Sequence, residues 1–411
     1  PMPKILHLAD IHIGMENYGR TDAASGLHTR LIDYLARLDE ALEYGLVAEP
    51  VDLVLIAGDV YKNRTPNPTH QREFARRIQR VVRAGVPVFI LTGNHDVPLA
   101  AGRAHSVEVF DALEIPHVTI AARMRVQRVE TRGGPVQILA VPWLNRQSLL
   151  TKDELQGLPM SAIDAEILHK VEAWIESAVA QRDPALPTIL AFHGSLAGAT
   201  LGSERAVMLG QDLVLPRSVV ARPGVDYVAL GHIHKHQAIG SDPPAVYPGS
   251  LERIDFGEEK ETKGFVIADV QPGSASWRFV HVAARPFITI EVDVREAADP
   301  MERIGRAINK RPVDGAVVRV LLQCTPQQRG QVEERAIRET LEAAGAHFVA
   351  AVALDVERTT RGRFAEVRDE LQRGLTPRRA LELYLRTKNI APGRQEQLLA
   401  AADDLMRRDE K

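Results

Sequence analysis

The chain has 411 residues, of which 45% are hydrophobic and 26% charged, and its formal net charge is -3 at pH 7. This length and apolar content predict a soluble globular protein with two or three domains. The nearly neutral charge gives no overall attraction to nucleic acid, so any DNA binding would have to come from local patches or from a metal site.

The single cysteine, Cys324, excludes an internal disulfide framework and fits a reducing compartment. The longest apolar runs are too short to span a bilayer, and the first residues enter a predicted strand without a signal-like region. We therefore expect a cytoplasmic protein.

Up to about residue 283, short buried strands alternate with helical stretches. Strands are predicted at 5–8, 51–57, 86–90, 188–192, 227–230, 245–247, 264–270 and 277–282. Helices are predicted at 27–46, 71–83, 104–113 and 161–179. This order predicts βαβ units and an α/β (α+β) fold in which two sheets pack face to face between flanking helices.

Residues 284–361 predict a second, small α+β domain. Its first strand, 288–294, alternates apolar and polar residues, and it is followed by a helix at 301–310, a strand at 317–322, a helix at 331–344 and a strand at 348–354. Residues 362–372 are predicted to be a linker. The segment 373–411 predicts two short helices whose apolar stripes are too small to form a core of their own. These stripes would dock on a partner or fold back on the main body.

Polar clusters follow five of the predicted strands, at the points where the strands end. They supply carboxylate, amide and imidazole groups, from Asp10, His12, Asp59, Asn94, His193, His232 and His234. Such a mixed oxygen and nitrogen set suits Mn²⁺, Fe or Zn²⁺ better than Mg²⁺ or Ca²⁺. Seven ligands are too many for one ion, whereas a pair of ions about 3.5 to 4 Å apart, bridged by Asp59, would use them all.

A metal pair of this kind lowers the pKa of water and supports in-line displacement at phosphorus, so the residues predict hydrolysis of a phosphate ester. His95 follows Asn94 and is left over from the ligand count. We expect it to donate a proton to the departing oxygen.

The order and number of these motifs resemble the calcineurin-like metallophosphoesterases. The run from Tyr247 to Phe256, the sequence Lys263-Gly264-Phe265 and the opening run from Lys4 to Gly14 resemble one branch, the SbcD or meiotic recombination eleven type nuclease subunits of DNA double-strand-break repair. The resemblance covers the whole chain, by motif to about residue 265 and by architecture beyond it.

The resemblance implies which residues would hold each ion. One ion would take Asp10, His12, Asp59 and His234, and the other Asp59, Asn94, His193 and His232, with Mn²⁺ as the usual activating metal. The position of His95 is that of the family's catalytic histidine, which is not a ligand. In one departure, Lys62 stands near the place where several members carry a second histidine.

The resemblance also implies partners. Residues 1–283 would be the nuclease domain, 284–361 a cap that helps hold DNA, and 373–411 the segment that binds an SbcC-type coiled-coil ABC ATPase. The implied assembly is a homodimer within a heterotetramer that processes double-strand ends, hairpins and single strands, as exonuclease and endonuclease.

Two other functions fit the same motifs. The chain could be a phosphoesterase acting on a small phosphodiester, although such a substrate needs neither the second domain nor the terminal helices. It could also be a mainly structural tether of DNA ends. One further histidine, His7, lies within a predicted strand, and we expect it to be a hydrogen-bonded core residue.

Overall fold

The computed structural model describes residues 2–98, 103–144, 159–202, 213–357, 378, 381, 382, 385 and 392–408. The chain divides into two compact units. The first comprises Pro1–Glu291, Ile304–Leu321 and Glu334–Ala353, and the second Val292–Arg303, Leu322–Glu333 and Leu354–Lys411. The predicted linker, 362–372, lies outside the described residues.

Most of the helices that the structure describes fall in the predicted places. They are α1 (Thr29–Glu43), α2 (Pro68–Arg83), α3 (Glu108–Ala112), α4 (Met160–Ala180), α5 (Arg217–Val220), α6 (Pro300–Asn309), α7 (Glu334–Ala343) and α8 (Pro392–Arg408). A π-helical segment, Tyr44–Ala48, extends α1, and 3₁₀ turns cover Phe256–Glu258 and Gln328–Gln331. Within the described ranges, none of these helices has both the length and the hydropathy needed to cross a membrane.

The strands follow in chain order. They are β1 (Lys4–Leu8), β2 (Leu53–Ile56), β3 (Val88–Leu91), β4 (Val118–Ala121), β5 (Arg125–Val129), β6 (Val136–Val141), β7 (Thr188–His193), β8 (Ser195–Leu196), β9 (Val214–Leu215), β10 (Tyr227–Gly231), β11 (Gln237–Ser241), β12 (Pro244–Tyr247), β13 (Gly264–Gln271), β14 (Ser274–His281), β15 (Phe287–Asp293), β16 (Val317–Cys324) and β17 (Phe348–Val356).

These strands form two six-stranded mixed sheets in the first unit. The first sheet has the order β14-β13-β1-β2-β3-β4, and the second β11-β12-β10-β7-β6-β5. In the first, β1 to β4 run parallel to one another, and β13 pairs antiparallel with both β1 and β14. In the second, β12, β10, β7 and β6 run parallel. The predicted two-sheet α/β architecture is thus confirmed.

Alternate residues of the central strands enter different layers of the core. On β1, Leu6 and Leu8 pack with the helices α1 and α2, whereas Ile5 faces the layer between the two sheets. The other face of the second sheet packs on α4 and α5. Because both faces of each sheet are covered, the central strands are mostly continuous apolar runs rather than alternating ones. The result is a helix-sheet-sheet-helix sandwich.

The start of α2 and the small sheet of the second predicted region also follow from the sequence. α2 begins with Asn67 as its N-cap, whose side chain accepts the backbone N–H of His70, and Pro68 occupies the first turn. β15, β16 and β17 form a separate three-stranded sheet in that order, at the places predicted for the second region.

The structure departs from the predicted elements at several places. The predictions did not include α5 or the strands β4, β5, β6, β8, β9 and β11. The helix predicted at 104–113 is only Glu108–Ala112, because the backbone N–H and hydroxyl of Ser106 both donate to Asp96 and hold the preceding residues in a loop. His7 and Cys324 are fully buried, as expected of core residues.

Candidate metal centre

The carboxyl ends of five strands meet at one edge of the sandwich. β1, β2 and β3 run parallel in the first sheet, and β7 and β10 run parallel in the second, so the loops after them point to the same edge. The structure brings together all seven residues predicted as metal ligands, which are Asp10, His12, Asp59, Asn94, His193, His232 and His234. Open α/β sheets bind ligands at such strand ends.

The backbone is strained at this edge. Asp10, His12, Asp59 and His232 all have positive φ angles, of 52°, 50°, 55° and 102°. Such conformations are uncommon outside glycine and cost on the order of 1–3 kcal/mol each. Four strained residues among seven indicate that the surrounding structure holds the side chains in place for a function rather than for stability.

The first group of candidate ligands comprises Asp10, His12 and His234, all of them buried. Nε2 of His12 lies 3.0 Å from Nε2 of His234, so the two rings direct the same kind of nitrogen at one point. Both carboxylate oxygens of Asp10 accept the backbone N–H of His232 at 3.0 Å, which joins this group to the end of β10.

The second group comprises Asp59, His193 and His232, also buried, together with Asn94. Oδ1 of Asn94 lies 3.0 Å both from Nε2 of His193 and from Nδ1 of His232. The Nδ1–H of His193 donates to the carbonyl oxygen of Ala57 at 2.7 Å. With Nδ1 engaged, Nε2 of His193 is the nitrogen that faces Asn94 and that would offer its lone pair to a bound ion.

Asp59 lies between the two groups. Its Oδ2 is 3.5 Å from Nε2 of His193 and 3.9 Å from Nε2 of His12. Its Oδ1 accepts the backbone N–H of His95 at 2.8 Å, so the carboxylate cannot turn freely. One oxygen is therefore presented to both groups at once, as a bridging ligand requires.

The electrostatics of the site favour a cation. Burial alone would raise the pKa of Asp59, but His193 outweighs it and holds this pKa well below its usual range. Burial would lower the pKa of His193, but the carboxylate of Asp59 raises it to about 9. Burial and the neighbouring His234 lower the pKa of His12. With these pKa values, a proton on His193 balances the negative charge of Asp59. A bound cation would take the place of that proton.

Glycines at the motif turns make room for the candidate ligands. Gly58 has φ +97°, and a methyl carbon on it would lie 2.8 Å from Cγ of His193. A methyl carbon on Gly93 would lie 2.6 Å from the backbone nitrogen of Asp59. Both distances are below 3.0 Å, which is closer than Cβ atoms approach other heavy atoms in proteins. Any larger residue at either position would therefore displace a candidate ligand.

Asp96 connects the turns that contain Asp59 and Gly93 by hydrogen bonds. Its Oδ2 accepts the backbone N–H groups of Asp59 and Gly93, both at 2.9 Å, and its Oδ1 accepts the hydroxyl of Ser106 at 2.9 Å. Burial, and then the charge of Asp59, raise the pKa of Asp96 to about 6 although these donors oppose the shift. The sequence predicted Asp96 neither as a metal ligand nor as the catalytic acid.

His95 lies beside the first group, and its ring forms a third grouping with His12 and Asp59 in which the ligand atoms also lie within 4.8 Å of one another. Its ring is 5.0 Å from that of His12, nearly perpendicular to it, and its Nδ1–H donates to the carbonyl oxygen of Lys62 at 2.6 Å. Nε2 is therefore the nitrogen that remains for another partner. The side chain of Lys62 is exposed, and the contact with His95 runs through its backbone.

Three further residues adjoin the site, of which sequence reasoning quoted only Lys263, as part of a family motif and without a role in the centre. The indole of Trp143, which follows β6, lies 5.0 Å from the ring of His232 and 6.3 Å from that of His193. Glu258 and Lys263 are fully buried behind His234. Trp143 had no local signal because β6 had not been predicted, and Glu258 had none because it is one of several acidic residues in its segment.

The donor set fits a pair of divalent ions. Carboxylate oxygens and imidazole nitrogens lie within 4.8 Å of one another in the groups Asp10, His12, His234 and Asp59, His193, His232, and Asn94 adds an amide oxygen to the second group. Three of the histidine nitrogens that face the centre are Nε2, and the fourth is Nδ1 of His232. Such groups could bind metal in the manner of two-metal hydrolases.

Comparisons with known proteins agree with this geometry. A family model, calcineurin-like phosphoesterase, matches residues 3–236. The SbcD component of the SbcCD nuclease of Rhodobacter capsulatus is 29% identical over 290 residues, which are 66% of this chain and 67% of that protein. The DNA double-strand break repair protein Mre11 of Archaeoglobus fulgidus is 23% identical over 329 residues, which are 74% of this chain and 66% of that one.

A further relative is named only as a metallophosphoesterase. The uncharacterized metallophosphoesterase YhaO of Bacillus subtilis is 25% identical over 348 residues, which are 82% of this chain and 76% of that protein. The chain spans about two thirds of the length of the two nuclease relatives. The family model covers more than half of the chain and ends just beyond the last candidate ligand, His234. The chain therefore belongs to the calcineurin-like phosphoesterases, enzymes that hydrolyse phosphate esters.

Proposed function

We propose that the protein is a two-metal, Mn²⁺-dependent DNA exonuclease and endonuclease that processes double-strand ends and hairpins together with an SbcC-type ABC ATPase. The position of Asp59 Oδ2, within 3.5 Å of His193 and 3.9 Å of His12, carries the two-metal part of this proposal. The names of the SbcCD and Mre11 relatives support the choice of DNA as substrate.

The geometry supports the division of ligands that the family resemblance implies. Asp10, His12 and His234 would hold one ion, Asn94, His193 and His232 the other, and Asp59 both. When bound, such a pair lowers the pKa of water and neutralises charge that develops at phosphorus. The strained backbone and the glycine turns fix the ligand directions before the substrate arrives.

His95 would be the general acid. Its Nδ1–H is engaged by the carbonyl oxygen of Lys62, so a proton on Nε2 is the one available to a departing oxygen. The backbone N–H of His95 donates to Asp59, which ties the acid to the proposed bridging ligand. Proton donation of this kind is worth roughly 10² to 10⁴ in rate.

The test is digestion of DNA by the purified chain. End-labelled duplex, a hairpin and single strands would be incubated with Mn²⁺, Mg²⁺ or no metal, beside the Asp59→Asn variant. We expect degradation that requires Mn²⁺ and is lost in the variant. Cleavage that persists after exhaustive chelation would contradict the two-metal proposal.

The second candidate is a phosphoesterase for small phosphodiesters. The YhaO relative is named only as an uncharacterized metallophosphoesterase, and its match covers a larger share of both chains than the two nuclease matches do, so relatedness alone does not select DNA as the substrate. A generic aryl phosphodiester in the same assay separates the two candidates. Hydrolysis of the ester without digestion of any DNA would favour this candidate.

A structural tether of DNA ends would use the same fold without needing the acid. If tethering were the whole function, His95→Ser would leave repair of broken chromosomes intact in cells. We expect the variant to lose nuclease activity, to keep its metal ions and to impair repair.

The ATPase partner would bind the segment 373–411. Its described helix, α8, is seventeen residues long, and Arg378 pairs with Asp403 within the second compact unit. We expect a chain truncated after Arg373 to keep its nuclease activity and to lose co-purification with the ATPase. A truncated chain that still co-purifies would contradict this assignment.

We also propose a homodimer, a cytoplasmic location and the domain division 1–283, 284–361, 362–372 and 373–411. Val109 and Leu113, on and just after α3, are 47% and 67% exposed, which suits an apolar contact between copies. Changing both to Ser should halve the mass measured by light scattering. Capping of DNA by 284–361 predicts that deleting this region weakens duplex binding.

A further inference from the structure

We propose that Glu258 is a positioning residue that sets the tautomer and donor strength of His234, and thereby makes one ion of the pair depend on a buried carboxylate that the other ion does not use. This inference rests on the two-metal centre of the proposed function. It assigns a role to a side chain that lies behind the site and touches neither substrate nor metal.

The contact that carries the inference is short and buried. The Nδ1–H of His234 donates to Oε1 of Glu258 at 2.8 Å, and Glu258 is fully shielded from water. With Nδ1 engaged, Nε2 of His234 carries the lone pair that faces His12 at 3.0 Å. A carboxylate behind a ligating imidazole fixes its tautomer and raises its basicity.

Glu258 is itself held on the opposite side. Its Oε2 lies 2.8 Å from Nζ of Lys263 and accepts the backbone N–H of Ile254 at 3.0 Å. Nζ of Lys263 also donates to the hydroxyl of Ser250 at 2.8 Å. The two carboxylate oxygens therefore have different partners, and only Oε1 is directed at His234.

The two groups of candidate ligands differ in the acceptor that the histidine Nδ1–H contacts. The Nδ1–H of His193 donates to a neutral acceptor, the carbonyl oxygen of Ala57, at 2.7 Å. His234 donates to a charged one. Because a carboxylate makes the opposite ring nitrogen a stronger donor than a carbonyl does, the ion at Asp10, His12 and His234 should depend on Glu258, and the ion at His193 should not.

Replacing Glu258 by Gln tests the tautomer directly. A Gln side chain has one acceptor oxygen and one donor amide, so it cannot accept at both places. If its oxygen keeps Lys263 and Ile254, the amide faces Nδ1 of His234 and forces the proton onto Nε2, where it blocks the lone pair. Glu261→Gln is the matched control, because Glu261 lies 2.9 Å from the same Nζ of Lys263.

The readout is Mn²⁺ binding, measured from the free-ion electron paramagnetic resonance signal, together with the spectrum of the coupled pair. We expect wild type and Glu261→Gln to bind two ions. Glu258→Gln should weaken one of them by roughly 10- to 100-fold, leave the other within about threefold, and lose the coupled signal at limiting Mn²⁺. Two equally tight ions in Glu258→Gln would overturn the inference and leave the proposed function standing.

A second measurement does not depend on the variant folding. Long-range proton–nitrogen spectra of metal-free wild-type protein labelled at histidine report the tautomer of each ring. We expect His234 to carry its proton on Nδ1 at about pH 8, and a proton on Nε2 overturns the inference. Fewer than two ions in the wild type would overturn both the inference and the proposed function, so the two failures are distinguishable.

Discussion

Replacing Gly93 by Ala tests whether the geometry of the candidate metal centre depends on close backbone approach. The new methyl carbon would lie 2.6 Å from the backbone nitrogen of Asp59 and 2.7 Å from its carboxyl carbon. The first distance is about 0.8 Å short of the 3.4 Å at which ordinary contact begins. The backbone of Asp59 cannot give way easily, because its N–H donates to Asp96 at 2.9 Å.

A shift of this size exceeds what a metal site tolerates, since ligand distances are met to within about 0.2 Å. Misplacement by about 1 Å can cost a factor of about 100 in rate, equivalent to about 2.7 kcal/mol of transition-state stabilisation. We therefore expect Gly93→Ala to lose at least about 100-fold in the rate of Mn²⁺-dependent phosphodiester hydrolysis. Both metal titration and the initial rate should report the loss.

The matched control is Gly305→Ala on α6. Beyond the neighbouring residues of its own helix, no atom lies within 4 Å of a methyl carbon there, and alanine is the better helix former, so activity should be unchanged and the melting temperature equal or higher. Circular dichroism would show whether Gly93→Ala is folded. A folded Gly93→Ala protein that binds two ions and retains activity within about fivefold of wild type would refute the steric argument.

The remaining predictions concern the proposed general acid His95, the metal ions and the buried histidine His7. His95→Gln should lower the rate by roughly 10² to 10⁴ while both ions stay bound, as rate assays and metal analysis would measure. Chelation should abolish hydrolysis, and Mn²⁺ should restore it. Burial lowers the pKa of His7 to about 3, so the unfolded chain, with a histidine pKa near 6.5, takes up the proton first on acidification. His7 therefore contributes stability above about pH 6.5 that is lost as the pH falls. Between about pH 7.5 and 5, the free energy of unfolding measured with denaturant should fall by about 2 kcal/mol more for wild type than for His7→Gln.

Each of these three predictions would be contradicted by a specific result. His169→Gln, on the exposed face of α4, is the control for His95→Gln, and equal rates in the two variants would remove His95 from catalysis. Full activity after chelation would end the metal assignment. Equal pH slopes for wild type and His7→Gln would mean that His7 is solvated in the folded protein.

The candidate ligands could be predicted from sequence because their signal is local. Each of them lies shortly after, or at the end of, a short apolar run that reads as a strand, and parallel strands bring their carboxyl ends to one edge. Asp59 was predicted as the bridge from ligand counting alone, and the structure places its Oδ2 between the two histidine groups. Residue type and position along the strand were sufficient for this.

The supporting residues could not be predicted in the same way, because their partners are distant in sequence. Glu258, Glu259 and Glu261 are near neighbours, yet they contact His234, Thr289 and Lys263 respectively. Nothing in a run of acidic residues indicates which of them turns inward.

The strands that were not predicted have a similar cause. β6 is a short, fully buried run in which Gln137 is the one polar residue, and by periodicity alone it reads equally well as a buried helical segment. Trp143 was missed with it, because its place beside His232 depends on where β6 ends.

The pairing of β1 has a consequence for synthesis of the protein. β1 carries the loop with Asp10 and His12, and it is flanked by β2 on one side and by β13, which begins at Gly264, on the other. Until the ribosome has made β13, the strand that leads to the first two candidate ligands has an open edge, and Lys263, whose Nζ donates to the carbonyl oxygen of His234, is missing. A chain emerging from the ribosome therefore cannot complete the surroundings of the candidate metal centre until β13 has been made.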